Sequence, residues 1–348
     1  MIDGSTAWPP TTPFSHTVLY LCVYIFTFVT GFPANVLAFY TFCVKVRQKP
    51  TPIDILLLNL TISDLLFLLF LPFRMNEVLN NMTWALPYAL CPLSSFFFYM
   101  TIYNSTFFLT AISVERYLGV AFPIQHSLKR RPIYAVAASI CFWIISFIHL
   151  SIVIIIPIIG SKSSNSSNST HNVGEHKSVE PAVCYNNFTP YQLTVLLPVR
   201  LELCLVLFCI PFLICSFCYI KFIWILSRLQ RIGRRRRLRA IGMALGTLLV
   251  FAVCFGPYNI SHIVGYAKWE NPSWRAKALL CSTFNACLDP LIFYWSSSAV
   301  RGAVNNVMGA IKRRLNRCMS YHTFWFLCKG VDKTAKDKAP KQEESNTV

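Results

Sequence analysis

The sequence predicts an all-α membrane protein: a seven-transmembrane helix bundle followed by a short amphipathic eighth helix on the inner leaflet. Of the 348 residues, 55% are hydrophobic and only 13% are charged, whereas soluble domains average about 25% charged residues. Seven mostly apolar runs each reach the roughly 20 residues that a helix needs to cross a bilayer. The runs cover residues 18–44, 53–79, 88–121, 133–159, 191–226, 238–267 and 274–297.

The basic residues between these runs predict their orientation. Fourteen lysine and arginine residues lie at or after the inner ends of the first, third and fifth runs, against four after the second, fourth and sixth. Because loops rich in lysine and arginine stay in the cytoplasm, the N-terminus is expected outside and the C-terminus inside a multi-pass plasma-membrane protein. The same distribution explains the net charge of +18 without a nucleic-acid partner.

The segment after the seventh run has the pattern of a helix that lies on a membrane. Apolar residues recur there at helical spacing beside Arg301 and the basic stretch 312–314, which is typical of helices bound to the lipid surface. Cys318 follows it and is a candidate palmitoylation site. The predicted divisions are an extracellular N-terminus (1–17), a seven-transmembrane domain (18–297), the amphipathic helix (298–317) and a disordered cytoplasmic tail (318–348).

The fourteen cysteines do not form the framework of a small secreted domain. Ten lie in apolar runs, where a free cysteine packs as a small hydrophobic residue, and two lie in the tail. Cys91 and Cys184 remain as candidates for one extracellular disulfide. The predicted outer loops also hold four N-glycosylation sequons, which begin at Asn81, Asn165, Asn168 and Asn187.

Short motifs occupy specific places in five of the runs or at their ends. They are Cys91 and Glu115-Arg116-Tyr117 in the third run, Trp143 in the fourth, Pro211 and Tyr219 in the fifth, Cys254-Phe255-Gly256-Pro257 in the sixth, and Asp289-Pro290 in the seventh. Together they resemble the rhodopsin-like G-protein-coupled receptors, over about residues 18–315.

Three longer strings, 115–119, 197–203 and 254–259, resemble the free fatty acid receptors, and particularly their short-chain branch. The resemblance implies a receptor rather than an enzyme, with acetate, propionate or butyrate as ligand. It also implies heterotrimeric G proteins of the inhibitory class, and the phospholipase-linked class, as partners, together with arrestin and membrane lipids. Phe255 stands where the wider superfamily has tryptophan, and Tyr294 is displaced by one position, so neither is assigned a switch role.

Two arginines and a histidine are the candidate ligand-binding residues. Arg200 lies eleven positions before Pro211, roughly 16 Å up its helix toward the outside, and Arg275 lies at a similar height before Pro290. His262 comes five residues after Pro257, on the helix between them. An arginine near a membrane surface can extend to the headgroups, but two guanidinium groups facing inward would hold both oxygens of a carboxylate.

Four further residues extend this candidate site. Tyr99 and His149 match pocket positions of the family that the sequence resembles, and Tyr258 is expected to line the same cavity because it follows Pro257. Glu202 lies two residues from Arg200 and faces another side of the helix, where pairing with an arginine of the empty pocket is one hypothesis. For acetate, with four heavy atoms, binding is limited to roughly 6 kcal/mol, which corresponds to tens of micromolar.

Five polar residues lie deeper in the spans and form a predicted polar core. In the receptor fold, the carboxyl groups of this core are expected to share a polar cavity, where they hold either a sodium ion or a shared proton with water. The polar-core residues are Asp64, Asn35, Ser105, Asn285 and Asp289.

A second predicted site lies at the inner end of the spans. There, Arg116 is expected to exchange an ion pair with Glu115 for contacts with Tyr219 and a partner, next to Tyr117.

Other functions are less consistent with the sequence. A retinal protein needs a lysine in the seventh run, and residues 278–298 contain none; no His-Glu-x-x-His string of a metalloenzyme occurs either. Two alternatives stay open within the receptor class: another small anionic metabolite, or a medium- or long-chain fatty acid. A carboxylate transporter is the alternative from a different class.

Overall fold

Seven spans are present, as the sequence predicts. The computed structural model describes residues 13–87, 89–129, 131–166, 184, 188–229 and 233–313, and within them no β-strand occurs. Seven helical segments of this part of the chain are long and apolar enough to cross a membrane. They are Thr17–Gln48, Pro52–Leu79, Leu90–Ala121, Pro132–Ile152, Pro190–Arg228, Arg234–Lys268 and Arg275–Ser296.

The fifth and sixth spans each contain a π-helix between two α-helices, and the seventh span consists of two consecutive α-helices. A short α-helix also lies between the third and fourth spans. The α-helices are α1 (Pro13–Gln48), α2 (Pro52–Leu79), α3 (Leu90–Ala121), α4 (Pro123–Lys129), α5 (Pro132–Ser166), α6 (Pro190–Glu202), α7 (Ile210–Arg228), α8 (Arg234–Leu249), α9 (Gly256–Lys268), α10 (Arg275–Thr283) and α11 (Asn285–Ser296), and the π-helices are π1 (Leu203–Cys209) and π2 (Val250–Phe255).

The sequence defines the start of α6 unambiguously. Thr189 accepts a hydrogen bond from the backbone N–H of Gln192, whose side chain accepts one from the backbone N–H of Thr189. Pro190 occupies the first helical position, where its missing N–H has no cost because that group would be unpaired anyway. This reciprocal cap fixes the end of the span that carries Arg200, which is the outer end in the orientation that the basic residues predict.

A proline inside a membrane helix frees a carbonyl, and the bundle uses two such carbonyls to join helices. Pro211 has no N–H to donate to the carbonyl of Leu207, four residues earlier. Thr106 of α3 donates its hydroxyl to that carbonyl at 2.8 Å. Because lipid offers no hydrogen-bond partners, this bond holds π1 against α3.

Pro290 has the same effect in the seventh span. It leaves the carbonyl of Ala286 without a helical donor, and Asn35 of α1 donates its side-chain amide to that carbonyl at 2.8 Å. A Cβ on Gly31 would lie 3.1 Å from the same oxygen. Gly31 is therefore needed for α1 to approach α11 this closely.

The third span forms the centre of the bundle. Of its most apolar window, 78% is buried, against 22% for the fourth span, because α3 packs against α2, α5 and α7 at once. Side chains on almost every face of α3 therefore contact protein rather than lipid. This position explains how α3 contributes residues to the outer cavity, the central polar region and the inner end.

The predicted disulfide between Cys91 and Cys184 is present, and it joins the start of α3 to the loop that precedes the fifth span. Asn81 lies in the turn after α2 with a positive φ of 54°. Asn165 was predicted in a loop but lies in the last turn of α5, where its side chain is not described. Asn168, Asn187 and Cys318 lie outside the described residues.

The chain divides into two compact units, one ending at Val300 and one beginning at Arg301. Residues 298–300 of the first unit and residues 301–313 of the second are helical. Residues 314–317 of the predicted amphipathic helix, the tail and residues 1–12 lie outside the described part of the chain. The location of this helix on the membrane surface stays a prediction.

Candidate functional site

A small cavity near the outer ends of α3, α6, α9 and α10 brings together five of the predicted ligand-binding residues. Its volume is about 20 Å³, enough for a group of roughly the size of a water molecule. We call it the arginine cavity. Its lining residues are Tyr99, Tyr103, Leu150, Ile152, Leu196, Val199, Arg200, Leu203, Tyr258, His262 and Arg275.

Arg275 is the first residue of α10, and its side chain is only 4% exposed. Its Nη2 donates to the hydroxyl of Tyr258 at 3.0 Å and is 3.5 Å from the hydroxyl of Tyr99. No carboxylate of the described residues forms an ion pair with it, and its Nε has no hydrogen-bond partner among them. Arg275 is thus a buried cation whose described partners are neutral, which is costly unless an anion compensates it.

The two tyrosines that hold Arg275 form a pair. The rings of Tyr99 and Tyr258 are nearly parallel, with centroids 6.0 Å apart, and the guanidinium carbon of Arg275 lies 5.9 Å and 5.3 Å from the two centroids. Both contacts are within the range of cation–π interactions. The tyrosines therefore fix the position of the guanidinium while leaving its charge uncompensated.

Arg200 lies on α6 and is also 4% exposed. Its Nη1 donates to Oδ1 of Asn271 at 3.0 Å, in the loop between α9 and α10. Its guanidinium carbon lies 5.1 Å from the ring centroid of Phe188. Arg200 therefore joins the fifth span to the outer ends of the sixth and seventh spans, next to the cavity.

His262 lies on α9 between the two arginines in sequence and lines the same cavity. Its Nε2 is 3.4 Å from the hydroxyl of Tyr103, and its Nδ1 has no hydrogen-bond partner among the described residues. Its ring packs edge-on against Tyr258, with centroids 4.5 Å apart. Tyr103 was not predicted to line the cavity. It lies one helical turn after Tyr99 on α3, and the direction of its side chain was not considered.

His149 and Glu202 do not line the arginine cavity. Their side chains pair with each other, with Nε2 of His149 3.2 Å from Oε1 of Glu202, and both are partly exposed. The hypothesis that Glu202 pairs with an arginine is wrong for this structure, because the carboxylate faces α5 rather than Arg200. The pair bridges α5 and α6 beside the cavity.

A second ion pair, on α2, was not predicted. Arg74 and Glu77 lie 2.7 Å apart and Glu77 is 4% exposed. Arg74 also donates to Oγ of Ser95. They line a neighbouring cavity of about 40 Å³ that shares Tyr99 and Arg275 with the arginine cavity. Two charged residues three positions apart inside an apolar run were the available signal.

The predicted polar core is buried between α1, α2, α3 and α11. Asp64 and Asp289 have no exposed surface, and their carboxyl groups lie close enough to interact electrostatically. The two carboxyl groups are close enough to share a hydrogen bond when one of them is protonated, and their oxygens receive none from any other described residue. Asn285 donates to Oγ of Ser105 at 3.2 Å, whereas the amide group of Asn35 is used by backbone carbonyls.

At the inner end, the predicted switch residues have different neighbours. Glu115 lies 3.2 Å from Nε2 of His126, on α4, a contact that sequence reasoning missed. Tyr219 is buried, donates to Thr247 at 3.4 Å and lies within electrostatic reach of Arg116. Tyr117 packs its ring against Phe122 and Phe217, so its described contacts are those of apolar packing.

Comparisons with known proteins agree with this architecture. Residues 34–293 match the family described as 7 transmembrane receptor (rhodopsin family). The chain is 53% identical to free fatty acid receptor 2 of Rattus norvegicus over 293 residues, 84% of this chain and 86% of the relative. It is 47% identical to free fatty acid receptor 3 of Mus musculus over 295 residues, 85% and 88% of the two chains. It is 34% identical to free fatty acid receptor 1 of Macaca fascicularis over 279 residues, which are 79% of this chain and 90% of the relative.

Proposed function

Because the chain belongs to the free fatty acid receptors of the rhodopsin family of seven-transmembrane receptors, we propose that it senses short-chain carboxylates and signals to heterotrimeric G proteins. Acetate, propionate and butyrate are the proposed ligands. Arg200 and Arg275 bind the carboxylate, and the name of the relatives, free fatty acid receptors, supports a carboxylate as the anion. Proteins of this class are receptors and not enzymes.

The observation that carries this proposal is the uncompensated charge of Arg275. A guanidinium in a low-dielectric site requires an anion nearby or bears a large desolvation cost. The buried Nε of Arg275 and the buried Nδ1 of His262 are both without a partner in the described structure. A carboxylate between them would accept hydrogen bonds from both while neutralising the arginine.

The small volume of the arginine cavity supports a short ligand. With about 20 Å³ of space, the cavity must widen to admit even a short acid, and each further carbon atom of the tail requires more widening. Leu150, Leu196 and Leu203 form its apolar side, where the short tail would pack. The affinity limit of roughly 1.5 kcal/mol per heavy atom makes acetate a ligand of tens of micromolar at best, as expected of a sensor for abundant metabolites.

The polar core is proposed to bind a sodium ion. The four buried carboxylate oxygens of Asp64 and Asp289 receive no hydrogen bond from any other described residue, and such oxygens are chemically suited to a hard cation. Asn285, one helical turn before Asp289, is bonded to Ser105, and the side-chain oxygens of these two residues are the proposed neutral ligands. A shared proton with ordered water is the alternative that a sodium titration distinguishes.

The cytoplasmic side is proposed to engage the inhibitory class of G proteins, with the phospholipase-linked class and arrestin as further partners. The distribution of basic residues supports an outside N-terminus and an inside C-terminus. Release of Arg116 from its resting contacts toward Tyr219 would supply the two-state element that such signalling needs. Membrane lipids are expected to contact the exposed apolar faces of the spans.

The test is a dose series of C2 to C12 carboxylates on cells that express the wild-type protein, Arg200→Ala or Arg275→Ala. Both substitutions are expected to abolish the G-protein response to propionate while surface expression persists. Lys277→Ala is the matched control, because this exposed lysine lies two residues after Arg275 on the same helix. An unchanged dose curve in either arginine variant would remove the proposed site, and uptake of labelled acid without signalling would favour a transporter.

A further inference from the structure

Two cysteines of the fifth span are in contact inside the π-helix that follows Arg200. The Sγ atoms of Cys204 and Cys209 lie 4.0 Å apart, although the residues are five positions apart in the chain. Both are free thiols. This contact depends on π1, and we propose that it forms a dithiol site that membrane-soluble hydroperoxides oxidise to an intrahelical disulfide.

The helix type explains why the thiols meet. Five residues of an α-helix turn a side chain by roughly 140° relative to the first, so residues i and i+5 point in different directions. In a π-helix the backbone hydrogen bond itself joins i to i+5, which places the two side chains one above the other. The observed bond from the N–H of Ile210 to the carbonyl of Leu205 follows this pattern.

The surrounding contacts hold π1 in this register. Thr106 donates to the carbonyl of Leu207, between the two cysteines, and Thr110 donates to the carbonyl of Pro211 just after them. Both bonds come from α3, at the centre of the bundle. The cysteines are therefore kept in contact by tertiary structure as well as by their own helix.

The two thiols differ in access, which assigns them different roles. Cys204 is fully buried, whereas Cys209 is partly exposed on a helix that faces lipid at Leu205 and Ile210. A reagent dissolved in the membrane would therefore meet Cys209 first. Cys204 lies behind Cys209 and can therefore react only with the oxidised sulfur of Cys209.

The chemistry balances with an organic hydroperoxide as the oxidant. The sulfur of Cys209 attacks the peroxide, the O–O bond breaks, and its thiol proton leaves with the alkoxide as an alcohol, which gives a sulfenic acid. The sulfur of Cys204 then displaces the hydroxyl group, which departs with the Cys204 proton as water. Two thiols lose two electrons, the peroxide gains them, and one S–S bond of about 2.05 Å forms.

The bond would join successive turns directly after the cavity residues Arg200 and Leu203. Because the two Sγ atoms are already 4.0 Å apart, a bond of about 2.05 Å requires them to move about 2 Å closer. This inference concerns the bundle alone and does not depend on which ligand the receptor binds.

The test is oxidation of the full-length protein in lipid nanodiscs with cumene hydroperoxide, followed by N-ethylmaleimide to cap remaining thiols and by peptide mass spectrometry. We expect a peptide with an internal Cys204–Cys209 bond, lacking two hydrogens and maleimide, that a reductant reverses. The signal should be lost in Cys204→Ser and in Cys209→Ser, and retained in Cys141→Ser, which removes an exposed thiol of α5.

Maleimide on both cysteines after oxidation, or a bond from either one to a different cysteine, would overturn the proposal. Should a serine variant fail to fold, the peptide map of the wild-type protein decides by itself, since the assignment of the bond is read directly from its peptides. Sulfinic or sulfonic acid at Cys209 without an S–S bond would also count against it, because the neighbouring thiol would then not have reacted.

Discussion

Arg275 donates from Nη2 to the phenol of Tyr258 at 3.0 Å, so the orientation of the proposed anion-binding group is set by a neighbouring helix. The two residues lie on α10 and α9, the seventh and sixth spans. A carboxylate bound at the Nε of Arg275, which has no partner among the described residues, leaves this bond in place. Because the guanidinium stays bonded to Tyr258, ligand binding links the seventh span to the sixth, which is a coupling that a receptor requires.

Removing the phenol of Tyr258 should weaken ligand binding. Tyr258→Phe deletes a hydrogen bond to a charged group, an interaction worth about 1.5–3 kcal/mol, so propionate potency is expected to fall about tenfold or more. Concentration–response curves for G-protein activation measure this. Tyr266→Phe is the control, since Tyr266 lies on the same helix and is exposed, and an equal loss in both variants would contradict the role given to Tyr258.

Enlarging the apolar side of the cavity should change the preferred chain length. Leu203 is buried and lines the cavity, and its truncation to alanine frees space for two or three methylene groups. At about 0.8 kcal/mol for each buried methylene, the potency of hexanoate relative to propionate is expected to rise about 15-fold or more. Leu205→Ala is the control, because Leu205 lies two residues away and faces outward.

If the relative potencies of the acids change equally in the Leu203 and Leu205 variants, or in neither variant, the ligand tail lies elsewhere. The neighbouring cavity beside Arg74 and Glu77 would then be the place to examine. Measurements with C2 to C8 acids on all three proteins separate these outcomes.

The sodium proposal predicts a specific loss of salt sensitivity. If Asp64 binds a sodium ion in the resting receptor, replacing sodium by N-methylglucamine at constant ionic strength should raise propionate potency a few-fold. Asp64→Asn should abolish that difference, because a neutral amide removes the charge that holds the ion. A receptor whose potency is independent of sodium before and after the substitution would indicate a protonated, hydrated carboxyl pair instead.

The spans and the main features of the site could be predicted from the sequence, because each depends on where a residue lies along its helix. Depth along the membrane places Arg200, Arg275 and His262 at one level, and the structure brings them to one cavity. Rotation about the helix axis was harder to predict. One hypothesis paired Glu202 with an arginine, whereas it pairs with His149, since the direction of a side chain depends on how the fifth span packs.

The π-helices show a second reason for incomplete prediction. The wider turn of π1 shifts every later side chain of the fifth span relative to α-helical spacing. No residue pattern in 203–209 predicts this π-helix. Pro211 indicated only that the helix would be interrupted nearby. The contact between Glu115 and His126 was also missed, because it depends on α4, a short helix in what was treated as a loop.

The disulfide should be needed for delivery to the cell surface. It joins α3 to the loop before the fifth span, and Sγ of Cys184 also lies 3.7 Å from Arg74. Without it, the loop loses its one covalent connection to α3 among the described residues, and removal of a native disulfide typically costs 2–5 kcal/mol.

Surface labelling of intact cells tests this with Cys184→Ser and, as control, Cys141→Ser, whose thiol is free and exposed. Cys184→Ser is expected to lower surface expression several-fold and to weaken the propionate response of the molecules that arrive. Cys141→Ser should resemble the wild type. Normal delivery and normal signalling of Cys184→Ser would show that the outer ends of α3 and α6 are positioned by packing and by the Thr189–Gln192 cap alone.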